Sequence, residues 1–504
     1  MINLLPKLSL GAVVLAIGFM AKVLAPHFED PDFYWHIKTG EYLLLSWPLP
    51  GADVFTYTHT GSPWGLSEWL AQIVLYLVFT TTGYFGMAVW VAVLCAFCGW
   101  VTYLNCRKQM VNPVHAIIVA GVCSLFLITA APRPYLFTFV FFSATLFVLL
   151  EFKYFRRDRL LALLPATQLL WANTHGGFFL GLVLVFLFAG SEWLRYRLKS
   201  EGALDAVRLR KLSLWAAVSL SITLVNPEFI QLWWYPIWGT LISGDVSTIN
   251  EWQSPSFHVP ITQGFLALVL FFFAVQARAK HRPDLTEIVV PLVFIAGAFV
   301  SVRNMPLAAL ALAPFLAISL GHRTCPATTG SRDSAAYQKP LADDHALLIN
   351  WILLVVAGLA LALSYPAQRK KQEAAVANYM PVGAADFLAA NHISGRMFNS
   401  YQYGGYLVFR LYPAQQVFIY GKSIIYRDDR DDFIRIHDAI LGGRSNWKAL
   451  FDRYDIDYVV CESNVALRQL LLQEGRFRLV FDDGNHSVLL KDIDKFQAII
   501  ARHG

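Results

Sequence analysis

The chain has 504 residues, 56% of them hydrophobic and only 15% charged, against roughly 25% charged in an ordinary soluble domain. The formal charge of +6 comes from bases in short loops between apolar runs, so the basic, aromatic-interleaved surface of a nucleic-acid binder is excluded. Of six cysteines only Cys461 lies far down the chain, which excludes a disulfide framework there, and the Cys95/Cys98 pair falls inside an apolar helix and reads as packing.

Long apolar runs fill positions 1–365 and charges fill the remainder. This predicts an all-α polytopic membrane domain over 1–365 and a small mixed α/β extracytoplasmic domain over 366–504. The first run, after Lys7 and through Leu24, is followed by no small-residue cleavage site and reads as a retained transmembrane helix. Further runs cover about 84–104, 114–131, 134–152, 160–173, 177–194, 212–226, 262–277, 287–301, 304–320 and 347–365.

Basic loops lie at 107–108, 153–159, 195–211, 278–282 and 322–332. Lys/Arg-rich loops stay cytoplasmic. All five fall inside only if 68–82, about 15 residues with Glu68 and Gln72 in it, lies in the outer interface and does not cross. The expectation is about 11 crossings plus this interfacial helix, the N-terminus inside and the tail outside. The outer face then receives 27–83, 131–134, 173–177, 227–260, 303–304 and the chain from 366. The charged stretch 368–373 reads as a linker. Beyond it 416–420, 457–461, 476–481 and 487–491 read as strands, and 432–441 and 447–454 as helices, the first ended by Gly442-Gly443.

The unusual polar residues sort onto that outer face. Glu29, Asp30 and Asp32 crowd the end of the first run, followed by Phe33-Tyr34-Trp35-His36. Carboxylates this close repel one another and must be solvated, paired or bound to a cation. Asp30 and Asp32 offer a general base or cation ligands; the plainer reading is a pair of acids at a helix N-terminus, where they are favourable anyway. Glu251 stands in Thr248-Ile249-Asn250-Glu251-Trp252-Gln253, inside a long loop that also holds Asp245. That loop is functional or lies on headgroups through Trp233, Trp234, Trp238 and Trp252. Arg303, and Arg133 between two prolines, suit a phosphate through the guanidinium fork or snorkel to headgroups. His175 in Asn173-Thr174-His175-Gly176-Gly177 bonds a substrate or caps a helix end. Neither zinc spacing, a Gly-rich loop after a strand nor a Ser/His/Asp order is evident.

In order and sidedness these segments resemble the type C glycosyltransferases, polytopic enzymes that use polyprenyl-phosphate or polyprenyl-diphosphate sugars. Glu29-Asp30-Pro31-Asp32-Phe33 is similar to the F-D-P-x-F pattern of the oligosaccharyltransferase catalytic subunit. Thr248 to Gln253 resembles its T-I-x-E or S-V-x-E-H-Q-P pattern, and Val302-Arg303-Asn304-Met305-Pro306 its V-R-L-M-L-V-L-A-P segment. Tyr401-Gln402-Tyr403-Gly404-Gly405-Tyr406-Leu407 looks like W-W-D-Y-G-Y-W-I without the tryptophans and aspartate. The second acidic motif, D-N-E, has no counterpart; the corresponding loop reads Arg133-Pro134-Tyr135. The whole chain also resembles a bacterial group of type C-like membrane proteins with D-P-D-F-W-W-H-x-x-T-G near the start and G-G-Y-L before a soluble end.

The resemblance implies inverting sugar transfer from a polyprenyl-linked donor at the bacterial inner membrane. Asp30 would be the catalytic carboxylate, with Asp32 as alternative or second ligand. Arg303, Glu251, His175, Arg133, His36 and Tyr403 would bind substrate. A divalent cation, Mg2+ or Mn2+, would sit on Asp30 and Glu251. The donor lipid and the membrane are the implied partners; a glycan, lipid or protein acceptor stays open. Two rivals stand beside this reading: a transporter or flippase for a lipid-linked saccharide, and a non-catalytic polysaccharide-assembly protein on a degenerate glycosyltransferase fold. Transporters place ionisable residues at mid-membrane and show repeated broken helices, and neither feature is visible. The sidedness predicts that a cysteine introduced into the 105–112 loop, in a cysteine-free background, is shielded from impermeant thiol reagents added outside. Labelling there would put 68–82 across the membrane.

Overall fold

The computed structural model describes residues 9–25, 27–46, 49–110, 112–237, 250–279, 282–324, 344–428 and 431–504. Lys7, Trp238, Asp245, Thr248, Ile249 and the 325–332 part of the last basic loop lie outside the described residues. Up to residue 379 the helices are α1 (Leu10–Leu24), α2 (Pro31–Leu45), α3 (Trp69–Gln109), α4 (Pro113–Ser124), α5 (Tyr135–Phe155), α6 (Leu163–Thr174), α7 (Phe178–Arg197), α8 (Ala206–Ile222), α9 (Gln231–Ile237), α10 (Pro260–Arg278), α11 (Leu285–Val300), α12 (Met305–Thr324) and α13 (Asp344–Tyr379).

Among the described residues six helical segments are long and apolar enough to cross a membrane: Trp69–Gln109, Tyr135–Phe155, Phe178–Arg197, Pro260–Arg278, Val302–Gly321 and Leu347–Tyr379. Shorter apolar helices cover Leu10–Leu24, Pro113–Thr129 and Leu285–Val300. The expected crossing at 160–173 is a 12-residue helix entered through a 3-10 turn, Asp158–Ala162. Against the expected eleven, six therefore have spanning length. Within α3, Gly83 takes φ 63°, ψ −161°, backbone open essentially to glycine alone, and separates 69–82 from the apolar run that follows. The expected linker at 368–373 is helical instead, inside α13. Gln, Arg, Lys and Glu are strong helix formers, and Arg369 pairs with Glu373 one turn on at 2.8 Å.

The residues separate into two compact units. The first comprises Met1–Pro26, Phe85–Ala130 and Pro134–Ser364; the second His27–Tyr84, Ala131–Arg133 and Tyr365–Gly504. At the centre of the first unit α12 is buried nearly throughout, with Ala308, Ala309, Ala311, Ala313 and Ala317 fully enclosed. Small side chains let helix backbones approach closely where no water drives association. Here α4, α5, α10 and α11 pack around that alanine face. A buried charge network ties α5, α7 and α11 together. Lys153 Nζ lies 2.6 Å from Glu192 and 2.7 Å from Asp284. Arg195 Nη1 lies 2.9 Å from Glu192 and 3.2 Å from Asp284, and Thr286 Oγ1 donates to Glu192 at 2.6 Å.

In the second unit α14 (Val382–Ala390), β1 (Met397–Asn399), α15 (Tyr401–Leu411), α16 (Phe433–Leu441), α17 (Trp447–Arg453), β2 (Tyr458–Glu462), α18 (Ala466–Glu474), β3 (Phe477–Asp482), β4 (His486–Lys491) and α19 (Gln497–His503) follow one another. The sheet runs β1-β2-β4-β3, with β1 parallel to β2 and the other pairs antiparallel. Three expected strands and both expected helices lie within two residues of their expected ends. The expected strand at 416–420 does not form. Val417 makes one isolated bridge to Thr56, and Asn399 takes the ladder's place: its Oδ1 accepts from Phe418 N–H at 2.8 Å and its Nδ2 donates to Ile419 O at 2.8 Å. Val417–Tyr420 is buried, and its backbone is met by the Asn399, Thr58 and Ser423 side chains and by the backbone of Phe55 and Tyr57.

Removing one member of a buried charge network leaves uncompensated charge behind, at roughly 3–5 kcal/mol. Lys153→Met is expected to destabilise the first unit by about 3 kcal/mol, the lower end, because Arg195 still faces both carboxylates. A thermal melt in detergent checks it, with Arg369→Met, an exposed helix pair, expected to change little.

Candidate active site

The acidic stretch builds its geometry from a helix start. Pro31 fills the first position of α2, where a missing N–H costs nothing, and Asp30 is the N-cap. Asp30 Oδ1 accepts the backbone N–H of Asp32 at 3.0 Å. Trp35, one turn on, donates its indole N–H to Asp32 Oδ1 at 2.8 Å. The second oxygen of each carboxylate faces Arg133. Its Nη1 lies 3.4 Å from Asp30 Oδ2 and its Nη2 2.6 Å from Asp32 Oδ2. All three side chains are 16–20% exposed, enough enclosure to make the pairing more than a surface contact. Arg133 stands in a tight turn between Pro132 and Pro134, its N–H bonded to Ala131 O at 2.8 Å.

Glycines bring the rest of the second unit onto this corner. A side chain at Gly405 would overlap Pro31 O, and one at Gly404 would overlap Ile419 O. Two glycines inside α15 cost that helix propensity, and the return is the close packing of α15 on α2. A side chain at Gly421 would overlap Asp32 Oδ1 and Trp35 Nε1. The pattern Tyr401–Leu407 thus contributes glycines to the wall of the acidic corner. Tyr403 itself is buried against His486, ring centres 5.2 Å apart, and burial raises its hydroxyl well above the ordinary tyrosine range. His36 is buried beneath Trp35, with Gln72 Nε2 3.1 Å and Glu68 Oε2 3.8 Å from its Nδ1.

A second cluster lies in the first unit. Arg303 sits in the 3-10 turn Val302–Asn304 that leads into the buried α12. Its Nη1 lies 3.2 Å from Glu251 Oε1, and its guanidinium carbon lies 5.0 Å from the Trp252 ring centre and 5.8 Å from that of Tyr135. Ser301 Oγ donates to Glu251 O at 2.9 Å and Val302 N–H to Gln253 O at 2.9 Å, which fixes the glutamate segment against the arginine turn. His175 ends α6. Its Nδ1 accepts the Gly177 N–H at 2.9 Å and lies 2.8 Å from Thr138 Oγ1, which in turn accepts from Trp171 Nε1 at 3.0 Å. A neutral imidazole has one acceptor nitrogen, yet an N–H faces each of the two: Gly177 N–H at Nδ1 and Arg303 Nη2, 3.1 Å away, at Nε2.

The structure therefore brings Asp30, Asp32 and Arg133 together in one unit and Glu251, Arg303 and His175 together in the other. Trp35, Gly421 and Thr138 complete these clusters and were not foreseen. For Trp35 the spacing of one helical turn from Asp32 was a usable signal; for Gly421 there was none.

No family model and no curated protein matches the sequence. Solved structures do match. Oligosaccharyltransferase AglB from Archaeoglobus fulgidus, in complex with an inhibitory peptide and a dolichol-phosphate, aligns at 13% identity and a TM-score of 0.57, over 96% of this chain and 74% of that one. The chain shares the fold of AglB. The Archaeoglobus fulgidus oligosaccharyltransferase tethered to an acceptor peptide aligns at 13% identity and 0.52, over 89% and 68%. The same enzyme with Zn and sulfate aligns at 12% and 0.50, over 95% and 73%.

A cation on Asp30 and Glu251, the expectation from the sequence resemblance, meets a donor set already taken. Asp30 and Asp32 each give one oxygen to Arg133, and Glu251 is paired with Arg303. Among the described residues no three His, Cys, Asp or Glu side chains group as metal ligands. The residues as arranged do not fit a divalent ion, which wants several free oxygens at about 2.0–2.6 Å.

The glycine contacts differ in what they press on. Gly405→Ala meets backbone and is expected to destabilise by about 1–3 kcal/mol. Gly421→Ala meets the end of the Asp32 side chain and is expected to cost less while breaking the Trp35 to Asp32 bond. Comparative melting of the two variants, with tryptophan fluorescence for the second, checks the ordering.

Proposed function

We propose that the chain is a membrane glycosyltransferase of type C architecture. It moves a sugar or glycan from a polyprenyl-phosphate or polyprenyl-diphosphate donor to an acceptor outside the cytoplasm, in a bacterial inner membrane with the N-terminus cytoplasmic. The observation that carries this is the placing of the Arg303 guanidinium 3.1 Å from His175 Nε2, where N–H donors outnumber the acceptors of one imidazole. An oxygen can accept from Arg303 and from a His175 Nε2–H together, and a phosphate supplies one with matching charge. The shared fold with AglB, which binds a dolichol-phosphate, supports the donor class.

Each cluster, taken by itself, offers one part of this chemistry. An acceptor hydroxyl or amide attacks the anomeric carbon of the donor sugar. The new bond to the acceptor forms as the bond from that carbon to the phosphate oxygen breaks, in a single displacement that inverts configuration. The bonding pair leaves on the phosphate, whose growing charge Arg303 and His175 Nε2–H stabilise. The role of taking the acceptor proton falls to Asp30 by the resemblance of its segment to the F-D-P-x-F pattern, with Asp32 sharing the orienting part. Glu251, which pairs with Arg303 at rest, holds the guanidinium in place between Trp252 and Tyr135 until a phosphate engages it. Asp30 has one oxygen on the Asp32 N–H and the other at 3.4 Å from Arg133. That longer contact leaves it the better placed of the two carboxylates to take the acceptor's hydrogen.

Loss of a group that stabilises transition-state charge costs about 10²–10³ in kcat. Arg303→Ala is expected to fall by that factor in transfer from a polyprenyl-phosphate sugar in proteoliposomes. Asp30→Asn and Asp32→Asn are expected to abolish the cell-surface glycan at normal expression. If both retain it, the catalytic reading fails in favour of an assembly protein; glycan movement without transfer would favour a transporter.

A further inference from the structure

We infer that Arg133 occupies, as part of the chain itself, the place a divalent cation would take at Asp30 and Asp32, so that transfer proceeds without added metal. The inference rests on the glycosyltransferase reading above for what is transferred, but not for what binds.

The geometry is that of a bridging cation. One guanidinium reaches one oxygen of each carboxylate, Nη1 to Asp30 Oδ2 and Nη2 to Asp32 Oδ2. The remaining oxygens are engaged by the Asp32 N–H and the Trp35 indole. All four carboxylate oxygens thus face N–H donors. A metal ion needs bare oxygens and a vacancy between them; here Nη1 and Nη2 of a planar fork stand there. The charge balance agrees. Two carboxylates and one guanidinium leave a single net negative charge, weak attraction for a divalent ion that must also approach a cation.

The guanidinium is also held in place from behind. Pro132 and Pro134 fix the turn on either side of Arg133, and the segment Ala131–Arg133 belongs with the acidic corner's unit even though the chain on both sides belongs to the other. Displacing the side chain would leave a tethered charge within reach of the site it left. The sequence carries the same substitution. Where the related acidic pattern places D-N-E, this chain has Arg133-Pro134-Tyr135. A positive charge stands where that pattern is acidic, and it keeps the corner's charge near balance without a metal. Arg133 is accordingly a positioning residue: it holds two mutually repelling carboxylates at fixed spacing and acts on the acceptor through them.

The test reads binding and turnover separately on the full-length protein in detergent, after EDTA treatment. Mn2+ is the probe, followed by electron paramagnetic resonance. Wild type is expected to bind no Mn2+ that Asp30→Asn removes, and to transfer sugar at the same rate with and without EDTA. Arg133→Ala is expected to gain one Mn2+ site, lost again in the Arg133→Ala/Asp32→Asn double variant, and to transfer only when Mn2+ is supplied. Arg133→Lys, which keeps the charge without the fork, is expected to bind no Mn2+ and to lower kcat with KM unchanged. Should Arg133→Ala fail to fold, Arg133→Gln keeps the bulk and gives the same readout. One equivalent of Mn2+ on wild type that Asp30→Asn removes overturns the inference, as does EDTA inactivation reversed by Mn2+. So does an Arg133→Gln variant that folds and gains no Mn2+ site. The Mn2+ signal needs no turnover, so absence of transferase activity would count against the proposed function while the binding result still decides this one.

Discussion

Two carboxylates two residues apart are a liability until something positive lies between them. The Arg133 guanidinium does so here, and much of the second unit is arranged to let it. The start of α2 sets the spacing, because Asp30 must be the N-cap for Pro31 to begin the helix. The spacing in turn requires a fork, not a point charge, since both carboxylates are met by different nitrogens of one plane. The walls then close in by means of residues with no side chain. Gly405 admits the Pro31 carbonyl, and Gly421 admits the Asp32 carboxylate together with the Trp35 indole.

The first unit solves a different problem, how to hold an arginine at the mouth of an apolar bundle. α12 is buried on all sides by virtue of its alanines, so the turn that precedes it has little freedom. Arg303 leaves that turn between two aromatic faces and a glutamate. His175 is fixed just as firmly, because its other ring nitrogen is committed to Gly177 and Thr138. A guanidinium held beside an imidazole in a weakly polar setting is well suited to an anion.

Much of this was legible along the chain. Hydropathy marked the membrane helices, and period-two and helical patterns marked three strands and two helices near the end, because each depends on local composition and burial of one face. The reading faltered where tertiary context overrode local signals. Residues 416–420 have strand composition, yet side chains, Asn399 foremost, and a single isolated bridge supply the hydrogen bonds a neighbouring strand would have given. Residues 368–373 have the charge of a linker, yet every one is a good helix former and α13 runs through them. The 160–173 run falls short of spanning length, because a 3-10 turn takes its first three residues and the α-helix that follows has 12.

The candidate residues show the same division. The sequence by itself determined which side chains are available: acids after the first apolar run, an arginine between prolines, a histidine before two glycines, an arginine before an alanine-rich helix. Those follow from composition and from spacing along a single helix or turn, where distance in sequence is distance in space. Only the tertiary structure decided which of them meet. Arg133 lies about a hundred residues from Asp30, and Arg303 more than a hundred from His175. No periodicity encodes contacts of that range; they arise from the packing of whole helices, which is why a loop arginine that suited a phosphate turned out to be the partner of two aspartates.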